Sequence, residues 1–253
     1  MKPVLEVRNL TKVFTQPGRP AFRAVDQISF QLMPGETLGI AGESGSGKST
    51  AAKLIARLID PSAGDILIGG DNVTHAKGRR LRQVYRELQM VFQTPAASFD
   101  PRRTLGDGIG ESLRNRGLSR AAIRGRVAET LAQCGLPAEF AGRYPHEVSG
   151  GQCQRAAIAR ALAGGPKALI LDEATSSLDV TVQQQILELL AGLRQTAGLS
   201  YLFICHNLAL VQMLCDRVLV LRDGKIEEQG TPDDVILHPQ SAYTRRLVEA
   251  AFS

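Results

Sequence analysis

The segment Gly42-Glu43-Ser44-Gly45-Ser46-Gly47-Lys48-Ser49-Thr50 constrains the fold of this chain more than any other. Its glycines let the backbone turn tightly and leave N–H groups bare, which grips an anion when the loop empties into a helix with its positive end inward. The flanks supply that context. Thr37-Leu38-Gly39-Ile40-Ala41 reads as a short buried strand, and Ala51 to Leu58 carries helix-forming residues. Gly42-x-x-x-x-Gly47-Lys48-Ser49 therefore matches a phosphate loop. In such a loop backbone N–H groups curl around a β-phosphate, Lys48 adds a mobile positive charge, and Ser49 offers its hydroxyl to a Mg²⁺ bridging the β- and γ-phosphates. The bland alternative, a chance glycine loop with a structural lysine, leaves the strand before it and the helix after it unexplained.

The other half of such a site is an acid at a strand end. Leu169-Ile170-Leu171-Asp172-Glu173 has that form, and a carboxylate at a strand's C-terminal end reaches the same crevice as the loop. Asp172 is expected in the Mg²⁺ shell. Glu173 is expected to orient and polarise the attacking water, since phosphoryl transfer asks the protein mainly for positioning and charge stabilisation. Two acids after a strand are otherwise an ordinary solvated loop start, and it is the pairing with Lys48 that gives them a role. Upstream, Val148-Ser149-Gly150-Gly151-Gln152 opens a helix through Arg155, Ile158, Ala159 and Leu162. A Ser-Gly-Gly turn at a helix N-terminus is an anion receptor as well as a cap.

Alternation marks strands at Val4 to Leu10 and at Ala24 to Leu32, the second ending in the turn Met33-Pro34-Gly35-Glu36. Asp65 to Gly70 and Leu88 to Phe92 read as further strands. From about Ser98 to Gly165 the sequence becomes helical, rich in Arg and Ala, and is expected to be an insertion. Strand character resumes at Ala168 to Asp172, followed by a helix near Gln183 to Arg194, a strand at Tyr201 to Cys205, a helix ending near Leu214 and a strand at Arg217 to Leu221. That βαβ order predicts a largely parallel sheet.

The order of phosphate loop, Ser-Gly-Gly turn and acidic strand end resembles that of the ATP-binding cassette (ABC) ATPases, whose LSGGQ signature Val148 to Gln152 matches in all but its first residue. The resemblance implies an α/β fold: a P-loop NTPase core with a mostly parallel sheet, an N-terminal antiparallel β subdomain and an inserted α-helical subdomain. It implies one ATP-binding domain over 1–253, with the core at about 1–93 and 161–253 and the helical insertion at about 94–160. ATP and Mg²⁺ are the implied cofactors. By the same resemblance Gln93 is the Q-loop glutamine that senses Mg²⁺ and the attacking water, and Mg²⁺ is held by Ser49, Gln93 and Asp172. Ser177, Leu178 and Asp179 form the D-loop along a dimer interface. His206 is the switch histidine at the γ-phosphate, completing a catalytic set with Glu173 and Lys48. Phe14 stands where the family places an aromatic residue, usually tyrosine, against adenine; stacking is the expectation and core filling the alternative. The site is composite in the family, with Gly42 to Thr50 of one subunit facing Ser149, Gly150, Gly151 and Gln152 of another.

Val91-Phe92-Gln93-Thr94-Pro95-Ala96-Ala97-Ser98-Phe99-Asp100-Pro101-Arg102 resembles the VFQDPxxSLNPR segment of the peptide, nickel and opine transporter ATPases. Pro239 and Tyr243-Thr244-Arg245-Arg246-Leu247 resemble that group's C-terminal P-x-H-P-Y-T-x-x-L motif, with Ser241 and Ala242 in place of His and Pro. The chain stops at Ser253 without a cysteine-rich extension, so it resembles the shorter of the two ATPases such systems pair. The implied function is ATP hydrolysis that powers uptake of small peptides or nickel and metallophore-like solutes. The implied partners are a second ATPase subunit, two membrane permease subunits and an extracytoplasmic solute-binding protein, at the cytoplasmic face of the inner membrane. Two departures stand out. Val148 keeps the apolar character of the signature's leucine, and Asn207 follows His206 where Asp is usual, which either weakens a dimer contact or tunes the histidine.

Composition bounds the alternatives. An apolar fraction of 43% and a charged fraction of 22% are those of an ordinary globular chain. Cys134, Cys153, Cys205 and Cys215 form no C-x-x-C pair, so neither a zinc site nor a disulfide framework is expected. The apolar runs are too short to span a bilayer. The net charge of +5 comes partly from Lys77 to Arg82 and the arginines between Arg114 and Arg126. A basic face invites the alternative of a soluble ABC ATPase acting on nucleic acid or ribosomes. No aromatic residues interleave these arginines, so a solvated face is the plainer reading and no nucleic acid is expected.

Overall fold

The computed structural model describes residues 2–15, 17–18, 20–175 and 178–252. The chain opens with strands β1 (Leu5–Phe14) and β2 (Phe22–Leu32), then β3 (Thr37–Ala41) and helix α1 (Lys48–Ile55). Strands β4 (Ala63–Ile68) and β5 (Asp71–Asn72), helix α2 (Gly78–Glu87) and strand β6 (Leu88–Val91) follow. Three helices then run without an intervening strand: α3 (Leu105–Arg114), α4 (Arg120–Gln133) and α5 (Gly150–Ala163). The remainder is β7 (Ala168–Asp172), α6 (Val180–Ala197), β8 (Ser200–Ile204), α7 (Leu208–Leu214), β9 (Arg217–Arg222), β10 (Lys225–Gly230), α8 (Pro232–Leu237) and α9 (Ala242–Phe252).

The strands form two sheets. An antiparallel sheet has the order β2-β1-β4-β5, and a second sheet has the order β10-β9-β3-β8-β7-β6. Within the second, β9, β3, β8, β7 and β6 are mutually parallel, and β10 closes one edge as an antiparallel hairpin with β9. Strands β3, β7 and β8 are buried at every position because both faces are covered, whereas the edge strand β10 carries Lys225, Glu227 and Glu228. Ala168, Ile170, Leu202, Ile204, Leu219 and Leu221 point into a core shared with β1, β2, β4 and α1. Leu169, Leu171, Phe203, Val218 and Val220 point the other way, into a core shared with α5, α6 and α7. The Ala-rich α5 is buried on most sides, and its small side chains let it pack closely against α3, α4 and β6.

Parallel strands put their C-terminal ends along one edge, and that edge collects the loops after β3, β6, β7 and β8. This is where the crevice of an open α/β sheet lies.

The expected strands and helices are present with shifted ends. Strand β1 runs on to Phe14, beyond the expected Leu10, because Arg8 and Asn9 form an irregularity that breaks the alternation, with Asn9 at φ 46°. Lys77 to Arg82, read only as a charge run, leads into the helix α2, which buries Val84 and exposes Arg79, Arg80, Arg82 and Arg86. Strand β10 and helices α8 and α9 are additions that apolar patterning did not mark.

Phe203, 1% exposed on the central strand β8, fills the face shared with α6 and α7. Phe203→Ala is expected to cost about 3 to 5 kcal/mol in urea unfolding. A loss below about 1 kcal/mol would mean that this core collapses around the gap.

Candidate functional site

The loop between β3 and α1 is shaped by backbone that only glycine adopts easily. Gly42, Gly45 and Gly47 have φ of 145°, 83° and 104°. A β-carbon on Gly42 would lie 2.3 Å from the Leu221 carbonyl oxygen, and one on Gly47 would lie 2.3 Å from that of Ala24. Gly47 is also the N-cap of α1 and offers no side-chain acceptor, so the first N–H groups of the helix stay available to a ligand.

Lys48 folds back over this loop. Its Nζ donates to the carbonyl oxygens of Gly42 and Glu43, each at 2.7 Å, and the residue is only 5% exposed. Burial pushes its pKa down, while the nearby Glu173 and Asp172 carboxylates oppose the shift. Ser49 donates its hydroxyl to Asp172 Oδ1 at 3.2 Å, joining the loop to the end of β7. Burial holds the Asp172 carboxyl above its usual range, against the Ser49 hydrogen bond that favours the charged form.

Glu173 follows with φ 48°, an uncommon conformation for a side-chain-bearing residue, held in part by its N–H donating to the Ile204 carbonyl at 3.0 Å. Its carboxylate accepts from Gln93 Nε2 at 2.9 Å and lies 3.7 Å from His206 Nδ1. The sheet edge thus brings Gln93, Glu173 and His206 together from the ends of β6, β7 and β8. Glu173, Thr175, Gln183, Cys205, His206 and Asn207 line a cavity of about 150 Å³. The hydroxyl of Ser49 beside a buried carboxylate makes an oxygen donor pair suited to a hard cation such as Mg²⁺, which commonly takes one or two carboxylates and completes its shell with phosphate and water.

Of the remaining expected residues, Leu178 lines the same cavity and the others make their contacts elsewhere. Ser149 is the N-cap of α5: its Oγ accepts from the Gln152 N–H at 3.3 Å, and Gln152 Oε1 accepts from the Ser149 N–H at 2.9 Å. The signature turn spends these bonds within itself. A β-carbon on Gly151 would meet Val182 Cγ1 at 2.5 Å, and the nearest atom to one on Gly150 is Leu178 Cδ2 at 3.8 Å, so the turn packs on the start of α6. Asp179 caps α6 by accepting from the Val182 N–H at 2.9 Å. Ser177 lies outside the described residues. Phe14 ends β1 with 41% of its surface exposed and Lys12 Nζ 5.1 Å from its ring centroid, so it is not a core filler.

Two residues named in the sequence reading make contacts that it missed. Asn207 caps α7, its Oδ1 accepting from the N–H groups of Ala209 and Leu210 at 3.0 and 3.4 Å. The signal was an asparagine directly before an apolar helix. Tyr243 reaches back from α9 to accept the Glu43 N–H at 3.1 Å. It was read as part of a tail motif, and nothing in that motif says what its hydroxyl touches.

The family model described as ABC transporter matches residues 25–176. The chain is 46% identical over 257 residues to the glutathione import ATP-binding protein GsiA of Shigella dysenteriae serotype 1 (strain Sd197), covering 98% of the chain and 41% of that protein. It is 45% identical over 258 residues to GsiA of Escherichia coli (strain K12), with the same coverage. The chain therefore spans about two fifths of the length of these curated relatives. Among solved structures it resembles the dimeric, post-hydrolysis state of the ATP-binding cassette MJ0796 bound to ADP and Pi, with TM-score 0.81 and 28% identity over 90% of this chain and 98% of that one. It also resembles cbiO1 from Clostridium perfringens, part of the ABC transporter complex cbiONQ, with TM-score 0.82 and 27% identity over 94% of this chain and 92% of that one.

A carboxyl whose pKa is raised by folding costs stability as pH rises through its native value, and costs nothing below its unfolded value. Asp172→Asn is therefore expected to raise the thermal midpoint of the nucleotide-free protein at neutral pH. The gain should shrink as the pH is lowered and the wild-type carboxyl takes up its proton. Thermal scans across pH check this, and a lowered midpoint at neutral pH would contradict it.

Proposed function

This chain belongs to the ABC transporter family, and on that premise we propose that it binds ATP and Mg²⁺ and hydrolyses ATP to power uptake of a solute through a membrane permease. The observation that carries the reading is the convergence of Lys48, Ser49, Asp172, Glu173, Gln93 and His206 at one sheet edge. In this reading backbone N–H groups of the Gly42 to Thr50 loop other than those of Glu43 and Ser46, which bond to Tyr243 and to the Glu43 carbonyl, cradle the β- and γ-phosphates, Lys48 neutralises charge on them, and Phe14 stacks on adenine. Ser49, Asp172 and Gln93 would hold Mg²⁺, which when bound adds positive charge between the phosphates. Glu173 is proposed as the group that orients the attacking water. Gln93 and His206 aim its carboxylate, and its strained backbone directs the side chain into the crevice.

The Ser149 turn makes its bonds away from the phosphate loop, which supports a composite site closed by a second subunit's Ser149 to Gln152, with the D-loop residues Ser177, Leu178 and Asp179 along the same interface. ATP would then act as glue between subunits, and its hydrolysis would release the clamp. The proposed organisation is a core of about 1–93 and 161–253 carrying a helical insertion of about 94–160. Between the two lies a groove of about 540 Å³ whose lining includes Leu58, Tyr85, Met90, Phe92, Ser112 and Arg116. Phe92 adjoins Gln93, so a permease segment seated there would feel the state of the γ-phosphate. Glutathione is a small peptide, and the GsiA relatives support small peptides over nickel as the solute class. A second ATPase, two permease subunits and a solute-binding protein at the inner membrane complete the proposed assembly.

Glu173→Gln is expected to bind ATP with little loss and to turn over orders of magnitude more slowly, accumulating as a closed dimer in size-exclusion chromatography. Near-normal hydrolysis by this variant would remove Glu173 from its role. For Lys48→Ala the expected loss is in nucleotide affinity itself, read by equilibrium binding. Wild-type affinity there would count against the phosphate-loop assignment.

A further inference from the structure

We infer that Tyr243 is a positioning residue for the phosphate loop, through which the C-terminal helix α9 sets how tightly that loop holds a nucleotide. The inference rests on the ATP-binding reading of the loop and adds to it a residue 200 positions further along the chain.

The peptide unit joining Gly42 to Glu43 is held at both ends. Its N–H, that of Glu43, donates to the Tyr243 hydroxyl at 3.1 Å, and its carbonyl, that of Gly42, accepts from Lys48 Nζ at 2.7 Å. Tyr243 thus orients the carbonyl that in turn holds the lysine. Besides the Ser49 bond to Asp172, backbone groups of the β9–β10 hairpin anchor the loop from outside. The Gly224 N–H donates to the Ser46 carbonyl at 3.0 Å, and the Leu221 carbonyl presses on Gly42.

Tyr243 is itself fixed. It is 5% exposed, and its ring lies 5.1 Å from the Arg222 guanidinium, at the end of the same hairpin. Its N–H donates to Ser241 Oγ at 3.1 Å, and Ser241 donates to Glu227 Oε1 at 2.6 Å while its N–H donates to Glu228 Oε2 at 3.0 Å. A continuous set of bonds runs from β10 through the start of α9 to the first turn of the loop. An anion-binding loop gains affinity when its N–H groups are already pointed at the ligand, because less ordering remains to be done on binding. The hydroxyl of Tyr243 contributes to that order through the Glu43 N–H.

Tyr243→Phe removes the hydroxyl and keeps the ring and its packing. Its expected effect is a rise of about fivefold in both the Kd and the KM for Mg-ATP, about 1 kcal/mol and the size of one neutral hydrogen bond, with kcat within about twofold of wild type. In the nucleotide-free full chain, hydrogen exchange of peptides covering 42–50 should quicken while those of β7 and β8 do not. Tyr243→Leu, which also loses the ring, should lower the thermal midpoint as well, separating packing from the hydroxyl's hold. Unchanged Kd and unchanged loop exchange in Tyr243→Phe would overturn the inference, as would a fall in kcat at constant KM. Failure of the wild-type chain to bind Mg-ATP would instead overturn the functional reading, and the exchange data would still report on the hydroxyl.

Discussion

A lysine ammonium held away from water must find oxygen, and Lys48 finds it in its own loop. The carbonyls of Gly42 and Glu43 take the charge at 2.7 Å, with Ser46 Oγ further off at 3.4 Å. That arrangement works only if the loop doubles back on itself, and it doubles back only because glycines accept the positive φ values at its turns. The loop in turn needs a buried strand to launch it and a helix to receive it. Much of the sheet can be understood as the frame for this buried ammonium. Parallel neighbours deliver Asp172 and Glu173 to the same edge, where their charge offsets part of the cost of burying the ammonium.

The frame is not confined to the elements that flank the loop. The β9–β10 hairpin supplies a backbone N–H to Ser46, and α9 supplies the Tyr243 hydroxyl to Glu43. Asn207 secures the start of α7 immediately after His206, which gives the residue a local structural task. The choice between a weakened dimer contact and a tuned histidine is thereby joined by a third account, a helix cap that asparagine performs as well as aspartate.

The Ser149 turn presents the opposite case. Its serine and glutamine bond one another, and its glycines are close to α6. A cap and an anion receptor are the same object seen from two sides, since the groups that close a helix N-terminus also leave N–H donors facing outward. The turn is therefore legible as a cap in one subunit and as a proposed phosphate contact only when another subunit is brought up to it.

The phosphate loop, the acidic strand end, the signature turn and the βαβ order were legible in the linear sequence. Each is a local pattern in which a few consecutive residues carry both the backbone freedom and the chemistry. The apolar strands were equally legible, although not which face each side chain would take. What the tertiary structure alone decided is how distant segments meet. Gln93, Glu173 and His206 converge because their strands are parallel neighbours, α2 forms where only a run of charge was visible, and Tyr243 docks on Glu43. A hydrogen bond between groups so far apart along the chain leaves no trace in either neighbourhood. It is set by the path of the backbone through both cores, and only the folded chain contains it.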